Sequence, residues 1–244
     1  RLPEDGALIN RMGFNSPGML HVARNLKCWW ADDSTRRPVL GINIGKNLDT
    51  ALEQAAQDYL STFVALAALA DYVAINISSP NTPGLRLLHE RSALEELLGT
   101  VCQVNNGLKK PCPVFVKISP DESEQQIAEV VEVGLSAGIT GFIATNTTLA
   151  REGLCSTHVQ ERGGLSGRPL AQRSLLVLRQ LQQLTDGRVP LISVGGVASA
   201  EDAYQRLQSG ASLVQLYTAL IYGGPTLVQE IKRGLAHRMR HSKY

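Results

Sequence analysis

Apolar residues follow two alternating patterns along the chain. Short runs rich in Val and Ile, at 39–44, 72–77, 113–118, 141–145, 190–194 and 213–217, read as strands. Helical spacing of apolar residues covers 19–27, 48–70, 92–105, 122–137, 173–184, 200–208 and 225–238. Ser92 followed by Glu95 has the form of a capping box, and Gly138 and Gly210 close their helices. Residues 10–18 read as a loop. Residues 28–38 are polar, with Trp29 and Trp30 covering a neighbouring surface. A long polar loop after Thr148 holds Gly163-Gly164-Leu165-Ser166-Gly167. Strands that are apolar throughout are buried on both faces, as in a parallel sheet. No linker, repeat or low-complexity stretch interrupts the alternation, so residues 1–244 read as one domain of six strand–helix units. Six units make either an open doubly wound sheet or six-eighths of a (β/α)8 TIM barrel whose first two units are missing.

The polar residues collect just past the strand ends: Asn43; Asn76 with Ser78 and Ser79; Lys117; Thr145, Asn146 and Thr147; Gly195 and Gly196; Tyr217 and Thr218. In a barrel all these ends meet on the face that carries active sites. The stretch 74–86 is the most distinctive. A buried strand opens there into hydroxyls and two carboxamides among two prolines and a glycine, with no charge before Arg86. Carboxamides both donate and accept, which suits a ring with alternating C=O and N–H groups, such as a pyrimidine or a flavin edge. Gly195-Gly196 lets backbone approach a ligand closely, and with the turn after Tyr217 it matches where barrels hold phosphate, after strands seven and eight. Lys117 has three readings: a Schiff-base lysine as in an aldolase, a cation beside an anionic cofactor ring, or a surface lysine at a strand end.

Composition narrows the field. The chain is 43% hydrophobic and 19% charged, with a net charge of +2, which gives no support for nucleic-acid binding. The basic tail from Lys232 to Lys243 reads as a solvated helix end. Cys28, Cys102, Cys112 and Cys155 lack metal or disulfide spacing, and the five histidines form no metal-ligand pattern, so no metal is expected. No apolar run approaches the roughly 20 residues that span a bilayer. Gly164-Leu165-Ser166-Gly167 is not a hydrolase elbow. The sequon-like Asn76-Ile77-Ser78 and Asn146-Thr147-Thr148 fall at buried strand ends. The chain lacks an initiator Met and reads as a fragment.

Six segments, taken together and in order, resemble dihydroorotate dehydrogenase over essentially the whole chain. They are Ile9 to Asn15 (INRMGFN), Gly41 to Asn47 (GINIGKN), Asn76 to Arg86 (NISSPNTPGLR), Thr145 to Thr148 (TNTT), Gly163 to Gly167 (GGLSG) and Val194 to Val197 (VGGV). Class 1 members carry a cysteine base in the loop after the NxS strand. Ser79 stands there, which resembles class 2, the quinone-reducing, membrane-associated class. The resemblance implies oxidation of (S)-dihydroorotate to orotate, the fourth step of pyrimidine synthesis, with FMN accepting the hydride and a quinone as final acceptor. Ser79 is implied as the base for the C5 proton, with Thr147 a candidate helper by position. Asn10, Arg11, Met12, Gly13, Phe14, Asn76, Asn81, Asn146 and Thr147 are implied to hold the substrate. Asn43, Asn76, Lys117, Thr145, Gly167, Gly196, Tyr217 and Thr218 are implied to hold FMN, with Lys117 near the flavin's N1–C2 edge. Class 2 members start with a membrane-docking helical segment and two further strands. Truncation of both is therefore expected here, with peripheral attachment to the cytoplasmic side of a bacterial inner membrane or, alternatively, to the mitochondrial inner membrane. Another FMN-dependent pyrimidine barrel and a Lys117 aldolase are the competing enzymes.

Overall fold

The computed structural model describes residues 1–31, 37–79 and 90–241. Its elements are β1 (Ala7–Asn10), α1 (Met19–Trp30), β2 (Gly41–Ile44), α2 (Ala55–Leu66), β3 (Tyr72–Asn76), α3 (Arg91–Asn106), β4 (Val114–Ile118), α4 (Glu124–Ala137), β5 (Gly141–Ala144), β6 (Gly164–Gly167), α5 (Ala171–Thr185), β7 (Leu191–Val194), α6 (Ala200–Gln208), β8 (Leu213–Gln215), α7 (Thr218–Gly223) and α8 (Leu227–His241). The chain divides into two compact units, residues 12–117 with 128–141, and residues 1–11 with 118–127 and 142–244. We call them the β2–β4 unit and the β5–β8 unit.

In the β2–β4 unit the strands run parallel in sequence order, β2 beside β3 and β3 beside β4. Order is not reversed, as it would be at the crevice of a doubly wound sheet. The register places Asn43 opposite Ala74, Ala74 opposite Phe115, and Asn76 opposite Lys117. Side chains alternate between faces along a strand and registered partners share a face. Asn43, Asn76 and Lys117 therefore lie on one face of the ladder. Ile44, Val73, Ile75, Val114 and Val116 lie on the other and are buried. On the polar face, a Cβ at Gly41 would stand 2.0 Å from the Tyr72 ring, so only glycine fits beneath that ring. Helix α2 buries Tyr59, Phe63 and Leu66, four and three residues apart, against α3, which buries Leu94, Leu97, Leu98, Val101, Cys102 and Asn105. Each fully buried leucine contributes about 1.5–3 kcal/mol. Asn105 then holds the chain into β4, donating to and accepting from the Cys112 backbone at 2.8 Å each.

In the β5–β8 unit β7 lies between β5 and β8, again parallel. Two strands absent from the sequence reading appear here. β6, which reads as part of a polar loop, and β1, of which only Asn10 is assigned and that to a loop, pair antiparallel with Ala7 opposite Gly167 and Asn10 opposite Gly164. A small core of Leu2, Ala7 and Leu165 holds them, and the Asp5 carboxylate accepts from the Cys155 and Ser156 N–H groups. A second core joins α6 to α8 through Val197, Ala203 and Ile231.

Three local expectations change. The 48–70 helix is α2 flanked by 3-10 turns, Leu52–Gln54 and Ala67–Leu69. Helix α3 starts at Arg91 with Glu90 at the cap position and no side-chain cap, so Ser92 with Glu95 is not a capping box; Glu95 pairs with Arg91 instead. Residues after Tyr217 form the short helix α7 rather than a turn. Trp29 and Trp30 stack at 4.6 Å, and Trp30 donates to the Leu69 carbonyl at 2.9 Å, which bears out their surface-covering reading.

Candidate active site

The β2–β4 unit presents its chemistry through side chains. Asn76 ends β3, buried, and its backbone carbonyl accepts from the Tyr59 hydroxyl at 2.8 Å. The backbone N–H of Lys46, just past β2, also bonds the Tyr59 hydroxyl. One phenol thus ties two strand ends together, and burial raises its pKa, so it stays a neutral donor. The Asn76 carboxamide oxygen faces Ser78, whose N–H and hydroxyl lie at 3.3 and 3.2 Å. This fixes which way the carboxamide points. Ser79 follows, 8% exposed, and Asn81 lies outside the described residues. Beside Asn76 stands Lys117, whose pKa burial pushes down to about 8. Its cost of desolvation would be relieved by a negative charge on that face. Lys46 is also buried, and donates to the carbonyls of Asn47 at 2.8 Å and Thr50 at 2.6 Å. It shapes the loop after β2, a role the sequence reading did not give it.

Phe14 packs at the end of β2, where a Cβ on Gly45 would be 2.5 Å from its ring. Gly13 and Phe14 have φ of 63° and 56°, and for phenylalanine that conformation is costly. Met12 is exposed. The other two members of that implied substrate segment belong to the β5–β8 unit. Asn10 ends β1, its carbonyl 2.3 Å from where a Cβ on Gly163 would be. Arg11 is exposed, bonded to the Glu161 carboxylate at 3.0 Å and the Arg162 carbonyl at 3.1 Å.

The β5–β8 unit presents mainly backbone. After β5, Thr145 N–H donates to the Val194 carbonyl at 2.7 Å, and Asn146 N–H to that of Ile118 at 2.8 Å. The Asn146 carboxamide oxygen accepts from the Thr147 N–H at 2.8 Å and lies 3.5 Å from its hydroxyl. Gly167 has φ 102°, and a Cβ there would stand 2.4 Å from the Gly6 carbonyl oxygen and 3.0 Å from the Thr218 methyl. The buried Thr218 donates to Ser166 Oγ at 2.8 Å; Tyr217 beside it is exposed. Gly196 has φ 74°, and its Cβ would collide with the Ala171 backbone at 2.4 Å. Gly167 and Gly196 thus stand where side chains are excluded. Ala171 opens α5, whose first turn carries no acidic residue. Close-approach glycines beside a helix start without carboxylates suit a phosphate group.

Sequence reasoning did not single out the residue behind that turn, Arg206. It is 2% exposed on the buried side of α6, and both nitrogens of its fork are hydrogen-bonded around Gly195. Its position three residues after buried Ala203 was the available signal, since a core-facing slot usually takes an aliphatic residue.

The sequence profile of the dihydroorotate dehydrogenase family matches residues 1–239. The dihydroorotate dehydrogenase (quinone) of Roseiflexus castenholzii is 59% identical over 244 residues, all of this chain and 65% of that protein. That of Cereibacter sphaeroides is 49% identical over 239 residues, 96% of this chain and 65% of the relative. The chain therefore spans about two thirds of the length of these relatives. Among solved structures, dihydroorotate dehydrogenase from Eimeria tenella in complex with ferulenol superposes with a TM-score of 0.93 at 37% identity, covering 99% of this chain and 70% of that one. The ligand-free Eimeria enzyme gives 0.94, again at 37%. These likenesses bear out the α/β barrel class over the doubly wound alternative, and the chain belongs to the dihydroorotate dehydrogenase family.

Proposed function

We propose that this protein oxidises dihydroorotate to orotate, with FMN taking the hydride and a quinone the electrons. The carrying observation is the register that sets Asn76 beside a desolvated Lys117 on the face shared with Asn43. Family membership and the quinone-class names of the relatives support it. FMN, when bound, would supply a two-electron acceptor for the hydride from C6 of dihydroorotate, and the C5 proton would need a base among the chain's own residues. Ser79 takes that proton; the ring carbonyl next to C5 acidifies it, and the serine needs a proton outlet because its free pKa is high. The net exchange is dihydroorotate plus quinone to orotate plus quinol.

Asn76, Asn81, Asn146 and Thr147 hold the substrate through carboxamide and hydroxyl groups, and Asn10, Arg11, Met12, Gly13 and Phe14 complete the substrate set. Asn43, Asn76, Lys117 and Thr145 hold the flavin ring, and Lys117 offsets negative charge on it. Gly167, Gly196, Tyr217 and Thr218 hold the phosphate end. We further propose peripheral attachment to the cytoplasmic side of a bacterial inner membrane, where a quinone is met. Among the described residues no helix is long and apolar enough to cross a membrane.

Anaerobic addition of dihydroorotate should bleach the flavin absorbance of the purified holoenzyme, and a quinone, but not NAD, should restore it. No bleaching with dihydroorotate would overturn the proposal. A lysine with a pKa near 8 also suits a Schiff base, and borohydride with a carbonyl substrate should then give a trapped adduct at Lys117; none is expected here.

A further inference from the structure

Arg206 is a buried cation whose hydrogen-bond partners are all neutral. Its Nη1 donates to Ser174 Oγ at 2.9 Å and approaches Ser193 Oγ at 3.5 Å. Its Nη2 donates to the carbonyls of Ala171 at 2.6 Å and Gly195 at 2.9 Å. Its Nε is buried without a partner among the described residues. Asp202, one turn earlier on α6, is taken up by Ser199 and by the Ala198 N–H. Burial pushes the guanidinium down to about 10, so it stays cationic at neutral pH. Asp202 favours the charge through space but makes no hydrogen bond to it. A buried charge without a paired carboxylate is costly, and packing alone would be met by Leu or Met in this slot.

What the cation holds gives the reason. Ser174 Oγ also lies 2.8 Å from the Gly195 carbonyl, so that oxygen is held from two sides. The Gly195–Gly196 peptide is trans, and in a trans peptide the C=O and the following N–H point in opposite directions. Fixing the Gly195 oxygen toward Arg206 therefore aims the Gly196 N–H away from it. That N–H has no partner among the described residues. Gly196 in turn touches the start of α5.

We propose that Arg206 is a positioning residue for the flavin phosphate: it locks the Gly195–Gly196 peptide so that the Gly196 N–H faces the phosphate, and it supplies positive charge one peptide behind it. This rests on the flavin reading above. It makes Arg206 act on the phosphate and not on the ring, which a purely structural role would not do.

FMN and riboflavin share a ring and differ in the phosphate, so their dissociation constants, read by flavin fluorescence on enzyme stripped of its flavin, separate the two roles. Arg206→Met should weaken FMN on the order of tenfold or more and leave riboflavin within about twofold, and Arg206→Lys should restore most of the loss. Ser174→Ala should give a smaller loss of the same selectivity, and it decides the matter if Arg206→Met does not fold. Equal weakening of both flavins, or an unchanged ratio of FMN to riboflavin affinity in Ser174→Ala, would overturn the proposal. A parent protein that binds neither flavin would sink the flavin reading itself. A parent that prefers FMN, with variants that keep the preference, would remove only the arginine.

Discussion

In the β2–β4 unit the candidate chemistry sits on side chains: the carboxamides of Asn43 and Asn76, the hydroxyl of Ser79 and the ammonium of Lys117, brought to one face or one strand end by parallel register. In the β5–β8 unit it sits largely on backbone, at Gly167, Gly195 and Gly196, where positive φ and close neighbours exclude a Cβ, with Arg206 and Ser174 fixing the peptide from behind. A ring with alternating donors and acceptors needs groups of definite type, which only side chains vary. A phosphate needs several N–H groups converging at short range, which backbone provides once side chains are out of the way. The two units should therefore fail differently. Substitution in the first should alter chemistry at intact affinity, and substitution in the second should alter fold and retention.

The sharpest test of the first half is Ser79→Ala. Removing a base that acts only in the chemical step should lower kcat by about 10²–10⁴. FMN content and orotate affinity should stay near those of the parent. Full turnover in this variant would take Ser79 out of the mechanism and leave the side-chain unit without a base.

Gly196→Ala tests the second half. The new Cβ would stand 2.4 Å from the Ala171 backbone at a φ of 74°. Overpacking and a left-handed alanine together cost about 2–4 kcal/mol. Thermal unfolding should show that loss, together with flavin release. A variant as stable and as yellow as the parent would mean the turn does not need its glycine.

The same difference explains what could be read in the chain. The strands of 72–77, 113–118 and 141–145 were legible because continuous apolar runs fit burial on both faces. Asn76 and Lys117 were legible because a polar residue ending such a run stands out. Their pairing was not, since register depends on a partner strand some 40 residues away in sequence. β1 and β6 were hidden for the opposite reason. Each has four residues, β6 is half glycine, and their partners are about 157 residues apart, so no local signal marks them. The glycines of the proposed phosphate turn were visible. Arg206 was not, because an arginine among Glu201, Asp202 and Gln205 reads as part of a solvated face until the helix is packed.

Lys117→Met sharpens the comparison by titration. The folded pKa of Lys117 is near 8 and the unfolded one near 10.5. Between these values the unfolded chain holds the proton and the folded chain does not. The flavin-free protein should therefore gain stability as pH rises from about 8 to about 10.5, and the neutral variant should lack that gain. With a bound anionic flavin the ammonium is favoured, so the pH dependence should weaken in the parent. Flavin reduction in the variant should slow by about tenfold, one unit of pKa-sized interaction. A parent with flat stability across this range would show that the lysine is not desolvated.

The smallest effect is expected at Tyr59→Phe, and it asks whether the side-chain unit relies on backbone scaffolding as the other does. The Tyr59 hydroxyl donates to the Asn76 carbonyl at 2.8 Å and receives the Lys46 N–H, joining the ends of β3 and β2. Phenylalanine fills the same space, so the loss is confined to those bonds and to one buried carbonyl left short of a donor. That costs about 1–2 kcal/mol. Asn76 keeps its Ser78 contacts at 3.2 and 3.3 Å, so its carboxamide should hold its direction. Denaturant unfolding should register the loss, while kcat and the Michaelis constant for dihydroorotate stay within about twofold. If kcat instead falls as it does for Ser79→Ala, the Asn76 backbone is part of the chemistry, and the division between a side-chain unit and a backbone unit does not hold.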